Sequence, residues 1–301
     1  MHITVSAPAK INLFLDINGR RNDGYHLINT VMQTITLCDD VTVNVDPDGS
    51  EISVSCTNSS IPCDSSNTAY RAAQEFFSAA GIPVQGVSIK IKKRIPFGAG
   101  MAGGSTDAAA VLFALNELLD TDMTTDELAE IGEKIGADVP FCVYGGTMTG
   151  TGTGTILSPL PDMPQCHIVV VKPDISISTA EAYRRSDEYG YESIHQSDLV
   201  VNGICNGNVR SVAEGLYNKF EDVTGNEEIE HIKEEMLSQG AVGSIMTGSG
   251  SAVFAIFDDE DKADDCVSHI KGKYDQVFLA KPCKNGPKEI QGRLFSIFSD
   301  N

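Results

Sequence analysis

Apolar and polar positions alternate through most of the first sixty residues. "HITVSAPAKINLFLDI", from residue 2, predicts a strand, and "VTVNV" (41–45) and "EISVSC" (51–56) are shorter alternating segments with Asp, Pro and Gly between them. The period then lengthens. "SNTAYRAAQEFFSAAG" (66–81) has helical spacing, with Asn67 or Ser66 as N-cap and Gly81 as stop. "VSIKIKK" (87–93) returns to period two, and "STDAAAVLFALNELL" (105–119) predicts a helix capped by Ser105 or Thr106, with Asp107 in its first turn. "TTDELAEIGEKIG" (124–136) carries a capping box, Thr124 with Glu127, and a Gly136 stop. "ADVPFCVYGGTMTGTGTGTILSPLP" (137–161) reads as two apolar strands around an ordered Gly/Thr hairpin or bulge.

Three prolines in "PLPDMPQ" (159–165) mark the best boundary, giving domains 1–160 and 161–301. Beyond it come a buried-type strand "HIVVVKP", helical segments around 179–187, 209–220 and 227–239, "SIMTGSGSAVFAIFD", a helix near 261–271 and "DQVFLAKP". Strands and helices mix without strict βαβ alternation, so a two-domain α+β architecture is expected.

Composition narrows the function. A chain of 301 residues with 41% hydrophobic and 21% charged positions is that of a soluble globular protein, with no apolar run of the ~18–20 residues a membrane span needs. The formal charge of −20 argues against a general nucleic-acid binder. The few bases cluster: Arg20 with Arg21, and Lys90, Lys92, Lys93 and Arg94 just before a glycine-rich stretch. Lys90 and Lys92 equally suit a solvated edge strand. Eight cysteines without C-x-x-C, and six histidines without H-E-x-x-H, favour reduced structural thiols over a tightly held transition metal. The start "MHITVSAPAKINLFL" reads as a first strand rather than a targeting peptide, so a cytoplasmic location is expected.

The glycine stretch "IPFGAGMAGGSTDAAA" (95–110) satisfies G-x-G-x-x-G through Gly98, Gly100 and Gly103. A dinucleotide fold also needs an acid ending the next strand about 20 residues on. The acids at that distance, Asp120 and Asp122, fall between two helices. A P-loop needs a lysine where Gly104 stands. What survives is general: backbone N–H groups turned inward, beside a helix N-terminus worth about half a positive charge, can hold a polyphosphate. Ser105 either offers a hydroxyl to phosphate or Mg²⁺ or merely caps the helix. Lys10, inside an apolar strand, either snorkels or faces a fixed anion. Asp138, after a helix stop and before Pro140, is either a turn acid or a functional carboxylate. Gly248 and Gly250 form a second nest or a packing point.

Together, "PAKINLFL", "PFGAGMAGGSTDAA" and "MTGSGSAVF" resemble the three motifs of the GHMP small-molecule kinases, among them galactokinase, homoserine kinase and mevalonate kinase. "GRRNDGYH" (19–26) is similar to a block found in the branch that phosphorylates the 2-hydroxyl of a cytidine diphosphate ester of methylerythritol, on the non-mevalonate route to isoprenoid precursors. The resemblance implies a ribosomal protein S5 domain 2-like N-terminal domain that binds ATP and a ferredoxin-like C-terminal domain on the substrate side. It implies Lys10 and Asp138 as the catalytic pair and Asn12 as a substrate contact. Tyr25 and His26 would bind cytosine, one stacking and the other hydrogen-bonding its edge, with Tyr183 on the opposite ring face. Thr179, Gly248, Ser249 and Gly250 would lie along the substrate. Asn67, Lys93, Pro96, Gly98, Ala99, Gly100, Met101, Ala102, Gly103, Gly104, Ser105 and Thr106 would surround ATP, with Ser105 also a ligand of Mg²⁺. Met101 and Thr106 replace a common leucine and serine without removing a needed group. The implied partner is a small molecule, with neither nucleic acid nor membrane, bound by a monomer or homodimer. Another GHMP kinase of the homoserine or mevalonate type, or a non-catalytic nucleotide-binding regulator, is the alternative. Residues 185–215 are only generically helical, and the tail after Pro282 carries no assigned role.

Overall fold

The computed structural model describes residues 1–192 and 195–290. A long antiparallel hairpin, β1 (His2–Arg20) and β2 (His26–Asp46), opens the chain, as the period-two pattern requires. Its register shifts between Pro8 and Lys10 and again between Asn12 and Phe14, so irregular backbone flanks Lys10 and Asn12. Such irregularities re-aim side chains.

The chain continues through β3 (Ile52–Cys56), α1 (Thr68–Ala80), β4 (Gly86–Lys92), α2 (Gly103–Leu119), α3 (Thr125–Ile135), α4 (Val139–Tyr144), β5 (Thr147–Thr151) and β6 (Ile156–Pro159). Next come β7 (His167–Lys172), α5 (Thr179–Tyr189), α6 (Asp198–Cys205), α7 (Val209–Glu214), β8 (Tyr217–Asn218), α8 (Lys219–Thr224) and α9 (Glu227–Ser238). It closes with β9 (Gly243–Met246), β10 (Val253–Phe257), α10 (Glu260–Ile270), β11 (Gln276–Ala280) and β12 (Lys288–Glu289).

Two sheets result. The first runs β12-β1-β2-β4-β3, with β5 added to β2, β6 to β5, and β8 parallel to β1. The second runs β11-β7-β10-β9, all antiparallel. Residues of α1 to α4, including Phe76, Phe77, Ala108 and Phe141, form one core with Val41, Val43 and Ile89 of the first sheet. Ile11, Leu13, Phe14 and Ile35 of the β1–β2 hairpin meet Ile168, Val170, Phe254 and Ile256 in a second core, where the sheets touch. The alternate residues Val169, Val171, Val253 and Ala255 bury against α9 and α10. β7 and β10 are thus covered on both faces, which is why they read as continuous apolar runs. Each fully buried Phe stabilises the fold by about 1.5–3 kcal/mol.

The chain between residues 281 and 290 returns to the first sheet. Pro282 bridges Ile35, the Cys283 N–H donates to Thr34 O at 2.8 Å, and β12 pairs with Val5 and Ser6 of β1. Gly286 lies across the end of α4, so close that a Cβ on it would meet Val143 O at 2.4 Å.

Four local expectations are corrected. Residues 139–144 are the helix α4 rather than a strand, with Pro140 in its first turn, where a missing N–H costs nothing. α2 begins at Gly103 with Ala102 as N-cap at φ 56°, so Ser105 and Thr106 lie inside the helix instead of capping it. Asp107 is a turn further in and buried, away from the exposed first turn. Segment 209–220 is α7, the short β8 and the start of α8 rather than one helix. The Gly/Thr run is the β5–β6 hairpin, and both the Thr124–Glu127 capping box and the Gly81 left-handed cap form as read.

Candidate active site

The loop between β4 and α2 has Gly98 at φ +63° and Gly100 at φ +74°, a region that costs other residues about 1–2 kcal/mol. Gly100 is also required sterically, because a Cβ there would sit 2.2 Å from Thr247 O in the β9–β10 turn. Three distant segments converge here. Lys10 N donates to Met101 O at 3.2 Å, Ala252 N to Ala99 O at 3.2 Å, and Asn12 N to Thr247 Oγ1 at 3.0 Å. Asn218 fixes the turn from behind, its Nδ2 donating to Met246 O and Gly248 O.

Two cavities flank the loop. One, of about 320 Å³, is lined by Asn67, Thr68, Lys93, Pro96 to Gly104 and Asp107. The other, of about 250 Å³, is lined by Lys10, Asn12, Asp138, Thr179, Tyr183 and Gly248 to Gly250. Gly98, Gly100 and Ala102 belong to both, so the loop is their common wall. The first turn of α2 leaves N–H groups without intrahelical partners at this wall. Gly98 has open space where a Cβ would go, so Gly98→Ala tests the backbone alone. We expect it to destabilise by about 1–2 kcal/mol and weaken nucleotide binding. A variant melting at the parent temperature would show that the loop does not need this conformation.

Lys10 is 5% exposed and does not snorkel. Its Nζ donates to Asn12 Oδ1 at 2.7 Å and stands 3.9 Å from Asp138 Oδ2. Asn12 is itself fixed, its Nδ2 donating to Thr30 Oγ1 at 2.9 Å while Thr30 donates to Phe14 O. Asp138 is the N-cap residue of α4, yet its side chain makes no capping bond and is 44% exposed. The carboxylate is therefore free for a ligand beside one fixed ammonium. Thr179 and Ser249 hydrogen-bond each other at 2.7 Å on the same cavity's wall.

Lys93 lies on the wall of the larger cavity, but its ammonium is taken. It donates to Asp107 Oδ2 at 2.7 Å and to Asp39 Oδ2. Burial works against the charged amine, and the two carboxylates outweigh it, so the Lys93 pKa is raised. Burial pushes the Asp107 carboxyl up, and Asp39 competes with it for the same cation. Asp39 Oδ1 also accepts the backbone N–H groups of Arg94 at 2.5 Å and Ile95 at 2.9 Å. This cluster anchors the segment leading into the loop. Asn67 caps α1, accepting from Ala69 N at 2.9 Å and donating to Pro62 O at 2.7 Å.

Ser105 and Thr106 line neither cavity. Among the described residues no group of three His, Cys, Asp or Glu could hold a metal ion. The donor set suits Mg²⁺ carried by a nucleotide, which needs one or two protein oxygens beside the phosphates. The unbonded Asp138 carboxylate meets that requirement.

Tyr25 is 65% exposed at the tip of the β1–β2 hairpin. His26 stacks on Tyr183 with ring centroids 4.3 Å apart, and Tyr183 meets Phe220 edge-on at 5.0 Å. No base fits between His26 and Tyr183. Sequence reasoning missed Asp39, Thr30, Thr247, Asn218 and Asp187, whose partners lie far along the chain and leave no spacing signal. It also passed over Phe97, which is 59% exposed on the larger cavity's rim.

Residues 67–146 match the family description GHMP kinases N terminal domain, and residues 201–276 match GHMP kinases C terminal. A 4-diphosphocytidyl-2-C-methyl-D-erythritol kinase of Clostridium kluyveri is 40% identical over 279 residues, 92% of this chain and 99% of its own. One from Geobacillus kaustophilus is 42% identical over 283 residues, covering 93% and 97%. A crystal structure of 4-(cytidine 5'-diphospho)-2C-methyl-D-erythritol kinase superposes with a TM-score of 0.78 at 31% identity, covering 94% of this chain and 99% of that one. A homoserine kinase from Cytophaga hutchinsonii, at 19% identity and a TM-score of 0.76, shares the fold.

Proposed function

The chain belongs to the GHMP kinases, and from that membership we propose that it transfers the γ-phosphoryl group of ATP to the 2-hydroxyl of 4-diphosphocytidyl-2-C-methyl-D-erythritol, giving the 2-phosphate and ADP. The support is twofold. The named relatives span nearly the whole chain, and the Lys10–Asp138 pair faces the smaller cavity while sharing the glycine wall with the larger one. Such a wall lets a phosphoryl group pass from one cavity to the other without the nucleotide leaving its own.

The larger cavity takes ATP, with its phosphates on the loop N–H groups and the N-terminus of α2. Asn67, Pro96 and Lys93 bound it, Lys93 acting as a structural cation rather than a phosphate ligand. Mg²⁺ bound with the nucleotide would neutralise charge on the phosphates; the Asp138 carboxylate would hold it, and Ser105, which lines neither cavity, would join only by turning toward the phosphates. In the smaller cavity Asn12, Thr179 and the 248–250 turn position the acceptor, and Tyr183 on its wall, with Tyr25 and His26 beyond its lining, holds the cytidine end. The acceptor oxygen attacks the γ-phosphorus and the bond to the bridging oxygen breaks. Asp138 takes the hydroxyl proton late, while Lys10 holds that carboxylate and offsets charge on the transferring group. Phosphoryl transfer needs this positioning and charge compensation more than covalent chemistry.

We place the division of labour at the proline-rich boundary, with 1–160 on the nucleotide side and 161–301 on the substrate side, in the cytoplasm. A monomer or a homodimer would serve this reading. ADP release coupled to a reporter, with Mg²⁺ and saturating ATP, tests the reading. Turnover of about 1–100 s⁻¹ with the diphosphocytidyl ester is expected. No turnover with it, or faster turnover with homoserine or mevalonate, would overturn it.

A further inference from the structure

We propose that Asp187 is a positioning residue that fixes which ring nitrogen of His26 carries the proton, and so lets the site tell an aminopyrimidine from a ketopyrimidine. The proposal rests on the reading that His26 meets the base of the substrate. Asp187 projects from α5 across to the end of the β1–β2 hairpin, 161 positions away in sequence, where its Oδ1 stands 2.6 Å from His26 Nε2. The same carboxylate accepts from the Tyr191 hydroxyl and from Arg20 Nη1, the latter at 2.9 Å. Burial works against its charge, but the hydrogen bonds from Tyr191 and His26 prevail and hold its pKa below the usual range.

A carboxylate with three donors upon it can only accept, so His26 Nε2 must bear its hydrogen. In the neutral ring that leaves Nδ1 bare, an acceptor with no partner among the described residues. The ring cannot turn over freely, because Tyr183 stacks on one face and Phe220 holds Tyr183 from the side. A flip would also place a carbon against Asp187. The charged and titratable groups around the imidazole are thus Asp187, Tyr191, Arg20 and Tyr183.

A fixed acceptor reads one edge feature. The 4-amino group of cytosine donates to it, whereas the 4-oxygen of uracil presents a second lone pair. Sites built around one buried hydrogen bond reject the mismatched analogue strongly, and a partly exposed one is expected to favour cytidine by about 10²-fold. In Asp187→Asn the amide can offer either its oxygen or its NH₂ to Nε2, so His26 takes both tautomers.

The test compares kcat/KM for the cytidine and uridine diphosphate esters of the same alcohol in the parent and Asp187→Asn, together with ¹⁵N shifts of His26 in both. Where the ring is neutral, the parent is expected to show a protonated Nε2 and an unprotonated Nδ1, and Asp187→Asn is expected to lower the cytidine preference at least about tenfold. Asp187→Glu, which keeps an acceptor-only group, should retain most of the preference. Equal losses for both substrates with an unchanged ratio would make Asp187 merely structural and overturn the proposal. The opposite tautomer in the parent spectrum would overturn it without any variant. Absence of turnover with the cytidine ester would instead sink the functional reading, while the spectrum still decides the tautomer.

Discussion

Asp138→Asn is expected to lower kcat by about 10²–10⁴ while leaving the affinity for metal-free ATP nearly unchanged. The substitution keeps the side chain's volume and removes its charge and basicity. Asp138 lines only the smaller cavity and makes no capping bond to α4, so neither the nucleotide site nor the helix loses a contact. The helix is held elsewhere, by Val139 packing on Gly132 and by Gly286 across its end. The carboxylate's tie to Lys10 is long, 3.9 Å, and the Asn12 amide oxygen already holds that ammonium at 2.7 Å. Lys10 therefore stays in place when the charge goes. Steady-state turnover beside calorimetric titration with metal-free ATP separates the two effects. Residual turnover above about a tenth of the parent would reject a proton-accepting role.

Asp39→Ala is expected to remove about 3–5 kcal/mol of stability, the scale for stripping one partner from a buried ion pair. Asp39 is fully buried. It holds Lys93 and satisfies the N–H groups of Arg94 and Ile95. Without it those two donors are orphaned, and Lys93 keeps only Asp107. The same segment runs into Pro96 and the glycine loop, so the KM for ATP should rise as well. Urea unfolding of both proteins measures the first effect as a shift in midpoint at constant slope. A loss under about 1 kcal/mol would mean that water replaces the carboxylate and that the cluster does not hold the loop.

The glycine loop, Lys10 and Asp138 were legible because each breaks a local pattern: a charge inside an apolar strand, a carboxylate after a helix stop, glycines before a helix. Where the reading left two options, the structure decides. Lys10 faces an anion, since its buried ammonium stands 3.9 Å from the Asp138 carboxylate. The missed features fail the same criterion. Asp39 lies 54 positions from Lys93, and Asp187 lies 161 from His26. No spacing rule spans those distances. α4 reads as a strand because six residues, one of them a proline, are too few to set a period. The start of α2 was misplaced because its cap is a left-handed Ala102 backbone rather than a hydroxyl side chain. β8 and β12, of two residues each, carry no alternation at all.

The return of residues 282–289 to the first sheet bears on how the protein is made. A chain made as far as residue 280 already contains every side chain that lines the two cavities. The edge of β1 still lacks β12, and α4, which presents Asp138, still lacks Gly286 across its end. Vectorial synthesis therefore completes the first sheet last, although most of its residues emerge first. The two halves mature together, and a nascent chain halted before this strap presents Asp138 on an unfinished helix.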